Sequence, residues 1–403
     1  MSFMKLGRYL AVLRTPGVAR VVLFATMGRL PFAIVPLSVV LLMREEGYQY
    51  GQIGAVVGAE ALAVGVTAGF VGRLVDRVGR RQVILVMGAA TTLLLCAEAI
   101  GILSGAAVWL LVALAALHGA TIPPISASMR SLWSQLVPEE TLESAFAFDA
   151  IQLELVFVVG PLIAAGLATA LSPAVGMVLC AALYLTASAG FATAPAARRA
   201  ATPEEQPERT RAGALRAGGM RTLVFAGAVT AVSFGALEVA LPAFAEAEDS
   251  RGAVGPLITI WALGSVVGGL WYGGRSWESP AEKRFLILMA LLALGSAPLA
   301  FAPSIGVMAV LLVFTGLALA PLATTEYALV DRLAPPGTET EAYSWQIVAN
   351  VVGAAAGSII AGVLAEQVSV EWALATAGIA CAAGLMVAVA GRRLLRPAAP
   401  AAS

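Results

Sequence analysis

Gly72-Arg73-Leu74-Val75-Asp76-Arg77-Val78-Gly79-Arg80-Arg81 sets five charges within ten residues, between apolar runs at 52–75 and 82–103. Gly72 lets two helices approach closely, and Gly79 permits a tight turn. Asp76 can cap a helix N-terminus or pair with Arg77 or Arg80. Charged hinges between long apolar runs are the plan of a polytopic membrane protein, and the rest of the chain follows it.

Of 403 residues, 59% are hydrophobic and 12% charged, with a mean hydropathy of +0.87. A soluble chain has about 45–50% apolar and about 25% charged residues. So few charges cannot cover a soluble protein of this size, which excludes a cytosolic enzyme, a nucleic-acid binder and a disordered chain. One span needs about 20 apolar residues. Twelve such runs are found: 18–43, 52–75, 82–103, 107–129, 145–169, 174–193, 222–245, 253–273, 285–302, 305–328, 343–365 and 372–391. Little is left over for a soluble domain. Pro31 and Pro36 are expected to interrupt span 1, Pro123-Pro124 span 4 and Pro321 span 10, freeing backbone carbonyls towards a cavity. Pro298 is expected to kink span 9. Phe3–Leu13 is expected to form a short amphipathic helix on the cytoplasmic surface, since no cleavable signal peptide precedes span 1.

Basic residues fix the orientation. With the N-terminus inside, 22 of the 25 Lys and Arg fall in cytoplasmic segments. Arg44 and Arg251 lie outside, and Arg29 lies within span 1. Both termini are therefore expected in the cytoplasm of a cell bounded by an inner membrane. The stretch 195–221, with six Arg, three Glu and the prolines Pro195, Pro203 and Pro207, is expected to be a cytoplasmic linker. It separates a six-helix half at 1–194 from another at 222–403.

The halves resemble each other. A shift of 197 residues sets Gly119 on Gly316, Pro124 on Pro321, Leu136 on Leu333, Pro138 on Pro335 and Thr141 on Thr338. It also sets Ala145 on Ala342, Phe146 on Tyr343, Phe148 on Trp345, Gly160 on Gly357 and Ala164 on Ala361. Parallel six-helix repeats with a site between them are a transporter architecture.

The 72–81 loop resembles the G-x-x-x-D-R-x-G-R-[RK] signature of the major facilitator superfamily, with every defining position filled: Gly72, Asp76, Arg77, Gly79, Arg80 and Arg81. The resemblance covers the whole chain. It implies an all-α membrane fold of two pseudo-symmetric six-helix halves. It also implies a latch at this loop that forms when the cytoplasmic face is shut. The matching second-half loop, Gly273-Gly274-Arg275-Ser276-Trp277, is degenerate: Trp277 stands where Asp76 would map. Any latch there must be built differently. Gly160-Pro161-Leu-Ile-Ala164-Ala165-Gly166 resembles in part the G-P-x-x-G-G element of the superfamily's antiporters, with alanine at both closing glycines. The resemblance points to drug or metabolite export in exchange for protons. The Gly160-Pro161 kink is expected to let span 5 pack against the other half. Small-xxx-small stripes on spans 2, 8 and 11 are expected at the same interface.

Ionisable groups in a span are costly and are functional candidates by default. At about 1.5 Å of rise per residue, Arg29, His118 and Glu154 fall near the midplane. Glu60 and Glu238 lie towards the outside, Asp149 and Glu326 towards the cytoplasm. The resemblance implies that spans 1, 4, 7 and 10 line the cavity, which favours Arg29, His118, Glu238 and Glu326. Asp149, Gln152, Glu154, Gln346 and Asn350 flank it from spans 5 and 11. Trp345 is either a cavity wall or an interfacial anchor. Arg29 is expected to pair with a carboxylate, Glu60 or Glu154. His118 is the one histidine of the chain and suits proton exchange. Glu98 lies on span 3, peripheral in the family, and is set aside.

Cys96, Cys180 and Cys381 each sit inside an apolar run, so neither a disulfide framework nor a metal site is expected. There is no G-x-x-x-x-G-K-[ST] for ATP, so no cofactor is expected and an ion gradient, the proton gradient first, is the driving force by elimination. The expected partners are a small-molecule substrate and the lipid bilayer. No nucleic acid is expected, and nothing requires more than a monomer. The expected activity is secondary active, multidrug-type efflux of a small amphiphilic compound. An uptake symporter or facilitator is the nearest alternative. A receptor would tend to carry a signalling domain, and an enzyme would need converging catalytic groups.

Overall fold

The computed structural model describes residues 6–199, 213–250 and 253–396. These residues are all-α, without strands. The elements are α1 (Leu6–Arg14), α2 (Val18–Glu45), α3 (Tyr50–Val78), α4 (Arg80–Leu103), α5 (Val108–Thr121), α6 (Ile125–Leu136), α7 (Glu139–Ala170), α8 (Pro173–Thr193) and α9 (Pro195–Arg199). They continue with α10 (Gly218–Ala247), α11 (Val254–Gly273), α12 (Ala281–Ser296), α13 (Ile305–Leu317), α14 (Leu319–Leu333), α15 (Glu339–Gln367) and α16 (Val370–Ala390). Among the described residues, twelve spans are long and apolar enough to cross a membrane, α5–α6 and α13–α14 each forming one. The protein is a multi-pass membrane protein. Large side chains such as Phe301 and Leu294 lie exposed on the outside of the helices, as hydrocarbon contact requires.

The prolines act unequally. Pro123-Pro124 break span 4 between α5 and α6, and span 10 breaks at Ala318, just before Pro321. Span 9 gives way to a 3-10 turn at Ala297–Phe301, which contains Pro298. Pro31 and Pro36 do not interrupt span 1: α2 is continuous around them. A single missing N–H per proline is tolerated where neighbouring helices close around the site. The surface helix near the N-terminus is α1. Its expected start at Phe3, and the linker residues 200–212, lie outside the described residues.

Packing divides the chain into two compact units. One comprises residues 12–137 and 152–209; the other comprises 1–11, 138–151 and 210–403. The first unit has a core of Ile34, Val39 and Leu42 from α2, Leu95 and Ile102 from α4, Leu111 and Ala115 from α5, and Met177 and Tyr184 from α8. The second is centred on Leu237 and Leu241 from α10, Leu257 from α11, Met308 and Leu312 from α13, and Leu374 and Ala377 from α16.

Glycines that match across the 197-residue shift perform the same task in each unit. A Cβ on Gly119 would lie 2.5 Å from the Glu60 carbonyl oxygen, and one on Gly316 would lie 2.3 Å from that of Trp261. These are the crossings of span 4 on span 2 and of span 10 on span 8. A Cβ on Gly160 would lie 2.5 Å from the Ala33 Cβ, and one on Gly357 would lie 1.9 Å from the Val232 carbonyl oxygen. These are span 5 on span 1 and span 11 on span 7. The expected neighbour of Gly160 is thereby corrected: it meets Ala33 on span 1 of its own half. The stripes divide: Gly264/Gly268 and Gly353/Gly357 meet spans 10 and 7 of their own half, whereas Gly269/Gly273 meet Ile151 and Ala147 on span 5 of the other half, as expected.

Candidate functional site

In the first unit, α2 carries Arg29 to a buried position, 2% exposed. Its Nη1 donates to the Gln152 Oε1 at 2.7 Å, and its Nε to the Ser126 Oγ at 3.3 Å. The Gln152 amide nitrogen donates onward to the Thr26 hydroxyl. Ser126 stands at the start of α6, just past the break at Pro123-Pro124. The cluster joins a fixed positive charge to an amide and two hydroxyls. Such a set binds groups that accept hydrogen bonds or carry negative charge. Gln152 was legible as a flanking residue. Ser126 and Thr26 were not, because hydroxyls in apolar helices are common and usually bond their own turn, as Thr26 also does to the Val22 carbonyl.

Glu60 lies elsewhere from its expected pairing with Arg29. Its backbone meets Gly119, next to His118, and its carboxyl is within electrostatic reach of Glu98. His118 Nδ1 stands 3.6 Å from Glu98 Oε2, both side chains wholly buried. The His118 and Tyr184 rings meet edge-on with centroids 6.2 Å apart. Glu98, set aside on family grounds, is thus the group facing His118. Glu154 is half-buried on α7, two residues beyond Gln152.

In the second unit, Gln346 of α15 donates from its amide nitrogen to Glu326 of α14. Both fit against α10 because Gly227 has no side chain: a Cβ there would lie 2.6 Å from the Gln346 amide nitrogen and 2.9 Å from Glu326 Oε1. Trp345 Nε1 donates to the Glu341 carboxylate at 3.2 Å. Asp149 is buried, whereas Glu238 and Asn350 are exposed.

The signature loop has Gly72 buried at the end of α3 and Gly79 at φ 109°, the turn for which glycine is needed. Arg80 Nη2 donates to the Ser131 Oγ at 2.9 Å, while Arg77 and Arg81 are exposed. The degenerate second-half loop is built on aromatics. Trp277 stacks on Tyr272 with centroids 4.7 Å apart and donates from Nε1 to the Tyr272 carbonyl at 3.0 Å. Arg284 lies 5.7 Å from the Trp277 ring, donates to the Tyr272 hydroxyl at 2.6 Å, and pairs with both oxygens of Glu143. Nearby, Tyr9 of α1 donates to the Gly269 carbonyl at 2.9 Å, and burial pushes its phenol above the ordinary tyrosine range. Neither Glu143 nor Arg284 stood out in the sequence. Glu143 is one of three acids at the start of α7, with Glu139 and Glu140, and only the fold carries it to α12.

Among the described residues no group of three or more His, Cys, Asp or Glu could hold a metal ion. Gly160 is buried against α2 and Pro161 follows it within an unbroken α7.

The Major Facilitator Superfamily model matches residues 21–274 and 223–403. An uncharacterized MFS-type transporter, y4rN, of Sinorhizobium fredii (strain NBRC 101917 / NGR234) is 25% identical over 379 residues, spanning 91% of this chain and 93% of the relative. The fold is similar to that of the human organic anion transporter MFSD10 (TETRAN), at a TM-score of 0.71 and 15% identity over 93% of this chain and 99% of that one. It is also similar to a bacterial homologue of the iron transporter ferroportin in its outward-facing state. There the TM-score is 0.76 at 14% identity, over 93% of this chain and 98% of that one. Two six-helix copies, the filled loop signature and these matches agree: the chain belongs to the major facilitator superfamily and is a membrane transporter of small molecules.

Proposed function

We propose that the protein exports a small amphiphilic compound across the cytoplasmic membrane in exchange for protons, by alternating access of its two six-helix halves. Both termini lie in the cytoplasm, and the working unit is a monomer. The observation that carries the substrate class is the Arg29 cluster. A guanidinium buried in a span and held by Gln152 and Ser126 is a receptor for an anionic or acceptor-rich head, and the apolar helices around it accommodate a hydrophobic body. The organic-anion cargo named for MFSD10 fits this chemistry. The iron named for the other neighbour does not, since a cation would face Arg29 directly.

Export is supported by the partial antiporter element at Gly160-Pro161. Proton exchange is supported by ionisable groups in the spans: Glu60, His118, Glu154 and Glu238. Arg284–Glu143 and the Gly72–Arg81 loop are the cytoplasmic latches of this scheme.

The test uses inside-out vesicles with a respiration-driven proton gradient reported by a pH-sensitive dye. A panel of organic acids, lipophilic cations, antibiotics and sugars is added. Expected is a collapse of the gradient by amphiphilic organic acids, lost in Arg29→Ala. A silent panel, with labelled uptake positive in whole cells, overturns export in favour of uptake.

A further inference from the structure

Glu98 and His118 are both wholly buried. Neither carboxylate oxygen and neither ring nitrogen has a hydrogen-bond partner. Their nearest atoms, Oε2 and Nδ1, are 3.6 Å apart, slightly beyond hydrogen-bond length. On their own helices, Leu95 and Ala99 of α4 and Leu111 and Ala115 of α5 belong to the buried apolar core. A polar group left in such a place without partners is expensive, and a charged one more so.

The second copy shows that the crossing does not need them. The 197-residue shift that aligns α5 with α13 and α8 with α16 sets Glu98 on Gly295 and His118 on Thr315. There the Thr315 hydroxyl donates to the Gly295 carbonyl at 3.1 Å and to its own turn, at Leu311, at 2.9 Å. One copy of the crossing is small and satisfied; the other is ionisable and unsatisfied. Packing accounts for the former and leaves the latter without a reason.

We propose that Glu98 and His118 form a proton-binding site that takes up and gives back one proton inside the first unit. With one proton the pair is neutral overall, either as carboxylic acid with imidazole or as carboxylate with imidazolium, and the proton moves between Oε2 and Nδ1. Without it the pair carries one negative charge, and with two protons one positive charge. The environment therefore favours the one-proton state, and events that change the neighbourhood drive release. Glu60 on α3 and Cys180 and Tyr184 on α8 are the titratable groups grouped with the pair electrostatically, and Cys96 of α4 packs against the same core. The charges at the signature loop lie at the far ends of α3 and α4. On α2, Arg29 is engaged by Gln152 and Ser126. This deepens the proton-exchange reading above and rests on it for its part in transport. The site itself stands or falls independently.

Because His118 is the only histidine of the chain, ¹⁵N-histidine labelling of the full chain, purified with a histidine-free tag and reconstituted in lipid, gives one imidazole. Its ¹⁵N shifts are followed against pH, alongside the infrared carbonyl band of protonated carboxyls. In the unmodified protein one transition is expected, shared by the imidazole signal and a carboxyl band. In Glu98→Gln that carboxyl band is lost and the imidazole transition changes or vanishes. An imidazole indifferent to pH with no carboxyl band moving in step overturns the proposal without any variant. An imidazole transition identical in Glu98→Gln overturns it as well. If the dye assay is silent while the shared transition is present, the transport reading fails and the proton site remains.

Discussion

The two six-helix copies share a scaffold and differ in what they bury. Where α4 crosses α5, Glu98 faces His118; where α12 crosses α13, Gly295 faces Thr315. At the loops the contrast runs otherwise. The first copy keeps an arginine-rich signature whose Arg80 bonds Ser131, and the second substitutes an aromatic nest around Arg284 and Glu143. Positions that set helix contacts were kept in both copies, as Gly119 and Gly316 show. Positions that carry charge diverged. One backbone plan thus gives a polar interior to the first copy and a charged latch resting on aromatics to the second.

Four experiments break or sharpen this comparison. Arg284→Ala removes one partner of a largely buried pair and is expected to cost the lower part of about 3–5 kcal/mol, because Glu143 keeps 22% exposure. Thermal unfolding in detergent checks it, and no change would reduce the second-half latch to a surface contact. Gly119→Ala and Gly316→Ala each push a methyl onto a backbone carbonyl and are expected to cost about 1–3 kcal/mol alike. A large loss at one and none at the other breaks the claim that the crossing is shared.

A double-mutant cycle of Glu98→Gln and His118→Asn is expected to give a coupling of about 0.5–3 kcal/mol. Additive single effects, from denaturant titrations of the folded fraction, would mean that the two groups ignore each other. Trp277→Phe keeps a ring on Tyr272 and loses one hydrogen bond, for an expected loss of about 0.5–1.5 kcal/mol. Transport through the latch should persist in that variant, as a vesicle assay would show.

Much of the fold was legible because hydrocarbon leaves few choices: apolar length gave the spans, and the basic loops gave an orientation to test. Gly119/Gly316 and Gly160/Gly357 were visible as a repeat before their common contacts were known. The site was less legible. Arg29 was conspicuous as a charge in a span, but its partners Gln152 and Ser126 come from two other helices. Glu98 was passed over because helix number within a family stood in for position. Its meaning depends on which residue of α5 faces it. Pro31 and Pro36 misled because a proline breaks a helix only where the freed carbonyl has somewhere better to go.

The most direct test returns to vesicles, with the compound that collapses the proton gradient in the unmodified protein. The variant carrying both Glu98→Gln and His118→Asn is assayed for gradient collapse and for counterflow of the labelled compound. The expected result is counterflow retained and collapse lost, with the first copy's buried pair carrying the proton. Collapse at the unmodified rate in that variant would contradict it and return the proton to Glu154, Glu238 or Glu60.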